Sequence, residues 1–353
     1  MLTDAQREKL DSCMNSSKFD SNTRKYVETY MEMNSQLFSG AVDVDTLIDN
    51  VSTNLSGGIK YDNFNPMLRG EYQYNKGKIS INPLFRFISG KDRERSTVFH
   101  ELDHCAVTKS VQYGEGEMNP MEQMLEKYKK VPIIRRFIPG LVKLYDKKVG
   151  QKFMSGIQNG IQNVALNEGI TAYKQQKYEQ YLGIDNNKSG YKRERDYARK
   201  IAEIIGEDNM IRCHANNSFE EMAEIFDRET LGVGNLESLN ENINAGFKRV
   251  AFAHPIKALK ARRKINGELK QCFVANRCKR LGIEYNPEYY KKLSSKELEI
   301  EIGKLDRFKG KEKEKDSFIA MCEGLVEEVP DYDRADKRTI YQRTIEQEKG
   351  VVR

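Results

Sequence analysis

Thr97-Val98-Phe99-His100-Glu101-Leu102-Asp103-His104-Cys105-Ala106 contains the pattern H-E-x-x-H. Helical side chains four residues apart lie on one face, so the imidazoles of His100 and His104 can both reach one metal ion. Glu101 lies beside them and can accept a proton from a water molecule on that metal. The pattern therefore predicts a zinc site on a helix, with Glu101 as general base.

The residues around the pattern suit a helix that is buried on one side. Apolar side chains recur there at helical spacing, namely Val98, Leu102, Cys105 and Ala106. Asp103 has two interpretations, because it could orient an imidazole or simply face water. The alternative for the whole stretch is a helix whose histidines only make hydrogen bonds inside a core.

A catalytic zinc site needs a third protein ligand and an open position for water. A downstream stripe with steps of three or four residues contains one glutamate: Ile157, Ile161, Val164, Glu168 and Ala172. A lone buried carboxylate is costly unless it is paired or binds a metal, which makes Glu168 the candidate ligand. Gly169 would let another helix approach closely. The alternative is an exposed glutamate at a helix edge.

H-E-x-x-H followed by Asn167-Glu168-Gly169 resembles the gluzincin metallopeptidases. The N-E-G segment is similar to the third-ligand segment of aminopeptidase N-like enzymes. The resemblance covers two short motifs. It implies Zn²⁺ held by His100, His104 and Glu168, and hydrolysis of peptide bonds with Glu101 as general base.

Three features depart from that family. Residues 105–167 separate the second histidine from Glu168, whereas the resemblance implies about twenty residues there, so an inserted segment is expected. The exopeptidase motif G-x-M-E-N does not precede the helix, which favours an endopeptidase. Ala172 stands where thermolysin-like enzymes have an aspartate one turn after the third ligand.

Composition limits the class of protein. The chain has 353 residues, enough for one large domain or two small ones. A net charge of +6 is small when 32% of the residues are charged, so no nucleic-acid partner is expected. The first residues lack the apolar centre of a signal peptide, and no run of about eighteen apolar residues occurs. With scattered cysteines, this predicts a cytoplasmic protein with free thiols and no transmembrane segment.

The predicted fold class is α+β and mostly helical, with a zincin-like core and a small antiparallel sheet before the H-E-x-x-H helix. The predicted domains are a helical cover (1–58), a catalytic core (59–183) with an inserted segment (113–153), and a C-terminal helical region (184–353). The H-E-x-x-H helix is expected to fade near Gln112. The inserted segment is expected to be a helical hairpin, with a lid or a membrane-touching segment as alternatives.

Residues 71–74 and 78–82 alternate in polarity around Asn75-Lys76-Gly77 and predict a β-hairpin. Its edge strand either pairs with an extended substrate or is an ordinary edge.

The predicted function is a zinc-dependent peptidase acting on a peptide or protein substrate. A further donor is expected for the developing oxyanion. His214 is the candidate because it precedes a helix and could sit at a cleft rim, and Tyr173 and Tyr181 compete with it. The alternative is that His214 is an ordinary surface or core histidine without a catalytic role. Two other functions stay open: a regulatory protease specific for one protein partner, and a non-catalytic interaction protein that retains a zinc site. A basic nucleic-acid binder is a further alternative that rests only on the pI of about 8.7. The substrate and the oligomeric state are not predicted.

Overall fold

The computed structural model describes residues 1–17, 19–63, 68–85, 90–112, 151–159, 163–184, 191–247 and 255–307. The chain forms two compact units, Met1–Leu269 and Lys270–Arg353. The helices are α1 (Asp4–Ser16), α2 (Ser21–Leu37), α3 (Val44–Asn54), α4 (Lys91–Ala106), α5 (Val164–Tyr181), α6 (Lys192–Ile205), α7 (Glu207–Asn216), α8 (Phe219–Glu229), α9 (Leu236–Gly246), α10 (Pro255–Leu281), α11 (Pro287–Tyr290) and α12 (Ser295–Arg307). The strands are β1 (Gly58–Lys60), β2 (Gly70–Gln73), β3 (Lys78–Ile81), β4 (Thr108–Gln112), β5 (Gln151–Ser155) and β6 (Gln158–Asn159). The prediction of a mostly helical chain with a small sheet is confirmed.

The sheet before α4 has the strand order β1-β3-β2. The predicted hairpin is present, since β2 and β3 are antiparallel and Gly77 takes a left-handed conformation (φ 57°) in the turn between them. The expected purely antiparallel sheet is wrong, because β1 pairs with β3 in parallel. The chain reverses direction between β1 and β2 and again in the hairpin between β2 and β3. Strands β1 and β3 therefore run in the same direction.

Helix α4 ends earlier than expected. It stops at Ala106 rather than fading near Gln112, and β4 follows at once. The Thr108 hydroxyl donates to the carbonyl of His104 at 2.6 Å, which satisfies a free carbonyl at the helix end. Strand β4 pairs with β5, and β5 with β6, in an antiparallel sheet that the sequence did not suggest. Of the predicted inserted segment, residues 113–150 lie outside the described residues.

The third-ligand helix is shorter than the apolar stripe suggested. Helix α5 begins at Val164, and Ile157 lies before it, in the turn between β5 and β6. The prediction that Ile157 belongs to the same helical stripe as Glu168 is therefore wrong. The turn depends on Gly156, which has φ 57°. Gly169 has the predicted effect, because a Cβ atom there would collide with the backbone of Glu194 on α6. Helices α5 and α6 can therefore pack closely behind Glu168.

Helices α1 to α3 begin at side-chain caps. Thr3 and Gln6 form a reciprocal capping box, and the carboxylates of Asp20 and Asp43 accept backbone amides of α2 and α3. Helix α4 packs its predicted apolar positions inward, and Val98, Leu102, Cys105 and Ala106 are fully buried. The buried apolar face of α4 places that helix in the core of the first unit.

The described part of the second unit, residues 270–307, has its own small core. Its buried residues are Val274, Cys278, Ile283, Tyr290, Leu298 and Leu305. No helix in the described ranges is both long and apolar enough to cross a membrane. The predicted free thiols are present as free cysteines at Cys13, Cys105, Cys213, Cys272 and Cys278.

Candidate metal centre

The two histidines of α4 face each other on one side of the helix. Their Nε2 atoms are 3.3 Å apart, and their ring planes are tilted by 78°. Both imidazoles are buried. At this separation both ring nitrogens can reach one metal ion, as the i, i+4 spacing predicted.

Helix α5 brings Glu168 to the same point. Its Oε2 atom lies 3.2 Å from Nε2 of His100 and 3.6 Å from Nε2 of His104. The donor atoms of His100, His104 and Glu168 all lie within 4.8 Å of one another. Residues 105–167 thus return the chain so that α5 meets α4. The structure brings together the three residues that the sequence nominated as ligands.

The hydrogen bonds around His100 suit a metal ligand. Its Nδ1 lies 3.1 Å from Oε1 of Gln175. The amide nitrogen of Gln175 donates to Ser96 and to Glu179, which leaves Oε1 as the acceptor for a proton on Nδ1. His100 then keeps its Nε2 lone pair for a metal, and its ring orientation is fixed.

Two imidazoles and one carboxylate are the protein ligands of some catalytic zinc sites. His100, His104 and Glu168 therefore form a group that could hold a metal ion. The group of His100, His104 and Glu168 contains no cysteine. The neighbouring Cys105 is buried, and burial raises the pKa of its thiol, which disfavours the thiolate form that binds metals.

Without a metal, the cluster is a buried ion pair. Burial alone would lower the pKa of His104, but the Glu168 carboxylate raises it to about 9. Burial likewise disfavours the charged form of Glu168, yet the two imidazoles hold its pKa well below the usual range. At pH 7 the metal-free protein therefore carries a protonated His104 beside an ionised Glu168.

Zinc binding at pH 7 is expected to release about one proton per ion, since His104 must lose its proton to become a ligand. Because its pKa in the folded metal-free state is raised, the protonated form persists at pH 7 and disappears as the pH rises through 9. Proton release should therefore fall towards zero above that pH. Isothermal titration calorimetry in buffers of different ionisation enthalpy measures it, and zinc binding with no proton release at pH 7 would count against this protonation state.

Glu101 lies beside the ligands and is held by the sheet. The backbone amide of Tyr72 in β2 donates to its Oε2 at 2.8 Å. Close approach of β2 depends on Gly70, where a Cβ would lie 3.3 Å from Cγ of Glu101 and 2.7 Å from Cγ2 of Thr97. Burial raises the pKa of Glu101, an effect opposed by the neighbouring histidines. The carboxylate thus has a fixed position and an increased tendency to hold a proton.

Asp103 neither faces water nor makes a described hydrogen bond to an imidazole. It is fully buried and forms an ion pair with Lys174 of α5, which is also fully buried. The hydroxyl groups of Tyr30 and Tyr178 donate to the same Oδ1, at 2.9 and 3.3 Å. This buried ion pair ties α4 to α5 on the side of α4 away from Glu101, and the sequence did not reveal it.

The expected position of His214 at a cleft rim is wrong. Its side chain on α7 is fully buried, and its Nε2 lies 3.5 Å from the hydroxyl oxygen of Thr171. Burial lowers the pKa of His214 to about 3, so the imidazole is neutral. The glycine turn at Gly156 makes room for it, because a Cβ there would be about 2.5 Å from its Nε2. His214 is a core histidine behind the metal centre.

The two tyrosines that were alternatives to His214 as oxyanion donor also face away from Glu168. Tyr173 and Tyr181 lie roughly 140° around α5 from Glu168. Tyr181 donates to Oε1 of Gln36 at 3.0 Å, and Lys177 lies 5.5 Å from the ring of Tyr173. Neither position suits a group acting beside the metal ligands.

Two residues at the centre were missed. Tyr191, just before α6, stacks on the ring of His100 with centroids 5.5 Å apart and planes 9° apart. Phe247 also stacks on that tyrosine, with ring centroids 6.2 Å apart. Gln175 follows Glu168 by seven residues, two helical turns, so the helical spacing could have identified it. Tyr191 had no such signal, because its contact with His100 arises from tertiary packing.

Comparison with known proteins finds no matching family model, no similar curated protein and no similar solved structure. The resemblance of the two motifs to gluzincins therefore stays a prediction, and the geometry of the centre carries the functional argument.

Removal of any ligand should abolish stoichiometric zinc. His100→Ala, His104→Ala and Glu168→Ala are each expected to lower bound zinc from about one ion per chain to well below one, because two donors hold zinc weakly. Metal analysis by mass spectrometry after gel filtration measures this. His214→Gln is the matched control and should keep one zinc, since His214 is outside the cluster. Full occupancy in the His100→Ala/His104→Ala double variant would rule out this site.

Proposed function

We propose that the chain is a zinc-dependent endopeptidase of gluzincin type. The observation that carries the proposal is the convergence of His100, His104 and Glu168, with the carboxylate of Glu101 beside them. The sheet packed beside α4, and the meeting of α4 with α5, support a zincin-like core.

A zinc ion in this centre would supply a Lewis acid that polarises a peptide carbonyl and makes a water molecule more acidic. The chain's own residues supply the rest. Glu101, positioned by the amide of Tyr72, would take a proton from the attacking water and pass it to the leaving amine. The raised pKa of Glu101, caused by burial, favours holding that proton between the two steps.

Strand β2 is one of the two edge strands of the sheet, the other being β1, and its Tyr72 amide donates to Glu101. Because backbone groups alternate along a strand, Gly70 and Tyr72 turn theirs away from β3. An extended substrate would pair with this edge. The Tyr72 amide already donates to Glu101, so a substrate would pair with the remaining outward-facing groups, the amide and carbonyl of Gly70 and the carbonyl of Tyr72, next to the general base.

The proposal is tested by cleavage of denatured proteins. The zinc-loaded protein is incubated with a heat-denatured lysate, and new amino termini are labelled and identified by mass spectrometry. New termini should appear with wild type, and they should be absent after chelation of zinc or with Glu101→Gln. An identical set of termini from wild type and Glu101→Gln would contradict the proposal.

Tyr191 replaces His214 as the proposed donor to the oxyanion, because its ring lies against His100. Tyr191→Phe keeps the stacked ring but removes the hydroxyl, so kcat is expected to fall by about 10²–10³-fold with little change in KM. Zinc content should stay unchanged. Tyr181→Phe on α5 is the matched control and should be as active as wild type. Steady-state kinetics measure kcat and KM of both variants. An unchanged kcat in Tyr191→Phe would show that the Tyr191 hydroxyl does not stabilise the oxyanion.

A further inference from the structure

The part of α10 that belongs to the first unit, residues 255–269, has one buried face. The side chains of that face are small or apolar: Ala258, Ala261, Ile265 and Leu269. Gly246, the last residue of α9, lies against it, because a Cβ there would be 3.4 Å from Cγ of Arg262. The guanidinium of Arg262 donates to the carbonyl oxygen of Gly246 at 3.2 Å. These contacts fix which side of α10 points away from α9.

The opposite face of this segment is cationic. Four basic side chains lie there, all exposed: Lys257, Lys260, Arg263 and Lys264. At about 3.6 residues per turn they fall within roughly 120° of the helix circumference. Residues 256–267 contain no Asp or Glu. Of the four cations, only Lys264 has an ion-pair partner within the described ranges, Glu268 at 3.5 Å. The positive charge of this face is therefore largely uncompensated.

Two large aliphatic side chains lie on the same face. Ile256 is 73% exposed and Leu259 is 49% exposed. They are three residues apart, which makes them neighbours on the helix surface, and Arg263 follows Leu259 by one turn. Apolar side chains gain free energy when a partner removes them from water. These two residues and the four cations together form the α10 basic face.

An anionic bilayer surface suits both features of this face. Its headgroups attract Lys and Arg, whose long side chains can keep their charges at the headgroups while their stems lie along apolar surface. Its outer acyl region accepts aliphatic side chains from a helix that lies flat in the interface. The phosphates of a nucleic acid would neutralise the cations but leave Ile256 and Leu259 in water. The exposed aliphatic residues therefore favour a lipid surface.

We propose that the α10 basic face binds the surface of a membrane that contains anionic lipids. The helix lies in the plane of the interface, with Ile256 and Leu259 entering the boundary between headgroups and acyl chains. Because salt screens the attraction between the cations and the headgroups, the binding is reversible and depends on ionic strength. It needs no metal ion, so it goes beyond the proposed peptidase function and does not depend on it.

Sedimentation of the full-length protein with lipid vesicles measures this binding. Vesicles of phosphatidylcholine alone are compared with vesicles that also contain about 30% phosphatidylserine. At an ionic strength of about 0.1 M, the anionic vesicles are expected to bind the protein at least about tenfold more tightly. The difference should largely disappear at about 1 M, where the screening length is only about 3 Å.

Two double variants test the two features of the α10 basic face separately. Lys260→Gln/Arg263→Gln should weaken binding to the anionic vesicles by about tenfold or more, because each cation contributes to the attraction. Ile256→Ser/Leu259→Ser keeps the charge and should weaken binding by at least about fivefold, because no apolar side chain then enters the interface. All four positions are exposed, so circular dichroism should show an unchanged fold.

Lys25→Gln/Lys91→Gln is the matched control. Both lysines are exposed, neither has an ion pair within the described parts of the chain, and their replacement removes the same net charge. This variant should bind anionic vesicles within about twofold of wild type, because its lost charges lie outside the α10 basic face.

Equal binding of wild type to both kinds of vesicle would overturn the inference. Unchanged binding in either double variant of the α10 basic face would overturn it as well. Duplex DNA and polyglutamate are the soluble probes for the other anionic partners. Binding to either of them at least as tight as binding to the anionic vesicles would overturn the choice of a lipid surface, and would indicate a nucleic acid or an acidic protein instead.

Discussion

Glu101→Gln is expected to lower kcat by about 10²–10⁴-fold, the usual contribution of a general base. Glutamine keeps the shape of the side chain and can still accept the amide of Tyr72 through its oxygen. It cannot take a proton from the attacking water. Because His100, His104 and Glu168 are unchanged, the variant should still bind one zinc per chain.

Peptide hydrolysis and zinc content are measured on the same preparation of Glu101→Gln. Glu71→Gln is a matched control on β2, because Glu71 is exposed and bonded only to Gln73 among the described contacts. It should retain both zinc and activity. A rate for Glu101→Gln within a few-fold of wild type would show that Glu101 is not the base.

Lys174→Met is expected to destabilise the first unit by about 3–5 kcal/mol, because it leaves the Asp103 carboxylate buried without its counter-ion. Lys174 and Asp103 are fully buried in the middle of the contact between α4 and α5. Two tyrosine hydroxyls remain on that carboxylate, and they do not neutralise its charge. The effect on the free energy of unfolding should therefore be far larger than for a surface lysine.

Urea denaturation followed by circular dichroism measures the free energy of unfolding. Lys177→Met is the matched control, since Lys177 is on the same helix in a partly exposed pair with Glu207, and it should cost less than about 1 kcal/mol. The double variant Asp103→Leu/Lys174→Met should recover most of the loss, because no unpaired charge remains. A loss below about 1 kcal/mol for Lys174→Met would mean that the buried ion pair does not hold α4 against α5.

The parts of the centre that could be predicted depend on local spacing. His100 and His104 follow from the i, i+4 geometry of one helix, and Glu168 from its place among apolar residues of another. Those relations are set by the helical repeat, so the sequence reveals them directly. Gln175 obeys the same rule two turns after Glu168 and could have been included.

The parts that could not be predicted depend on contacts between distant segments. From the sequence Asp103 could orient an imidazole or face water, and only the packing of α5 places Lys174 against it. His214 has the sequence environment of a rim residue, but the packing of α7 and the glycine turn at Gly156 bury it. The parallel pairing of β1 with β3 likewise arises from chain crossing, which no local pattern encodes.

The most direct measurement is an anomalous difference map at the zinc absorption edge, from crystals of the zinc-loaded protein. One strong peak is expected at roughly 2.0–2.2 Å from Nε2 of His100, Nε2 of His104 and a carboxylate oxygen of Glu168, with a fourth position open to solvent. Glu101 should remain outside bonding distance of the peak. A zinc peak elsewhere in the chain, with no peak between His100, His104 and Glu168, would show that these three residues are not the zinc ligands.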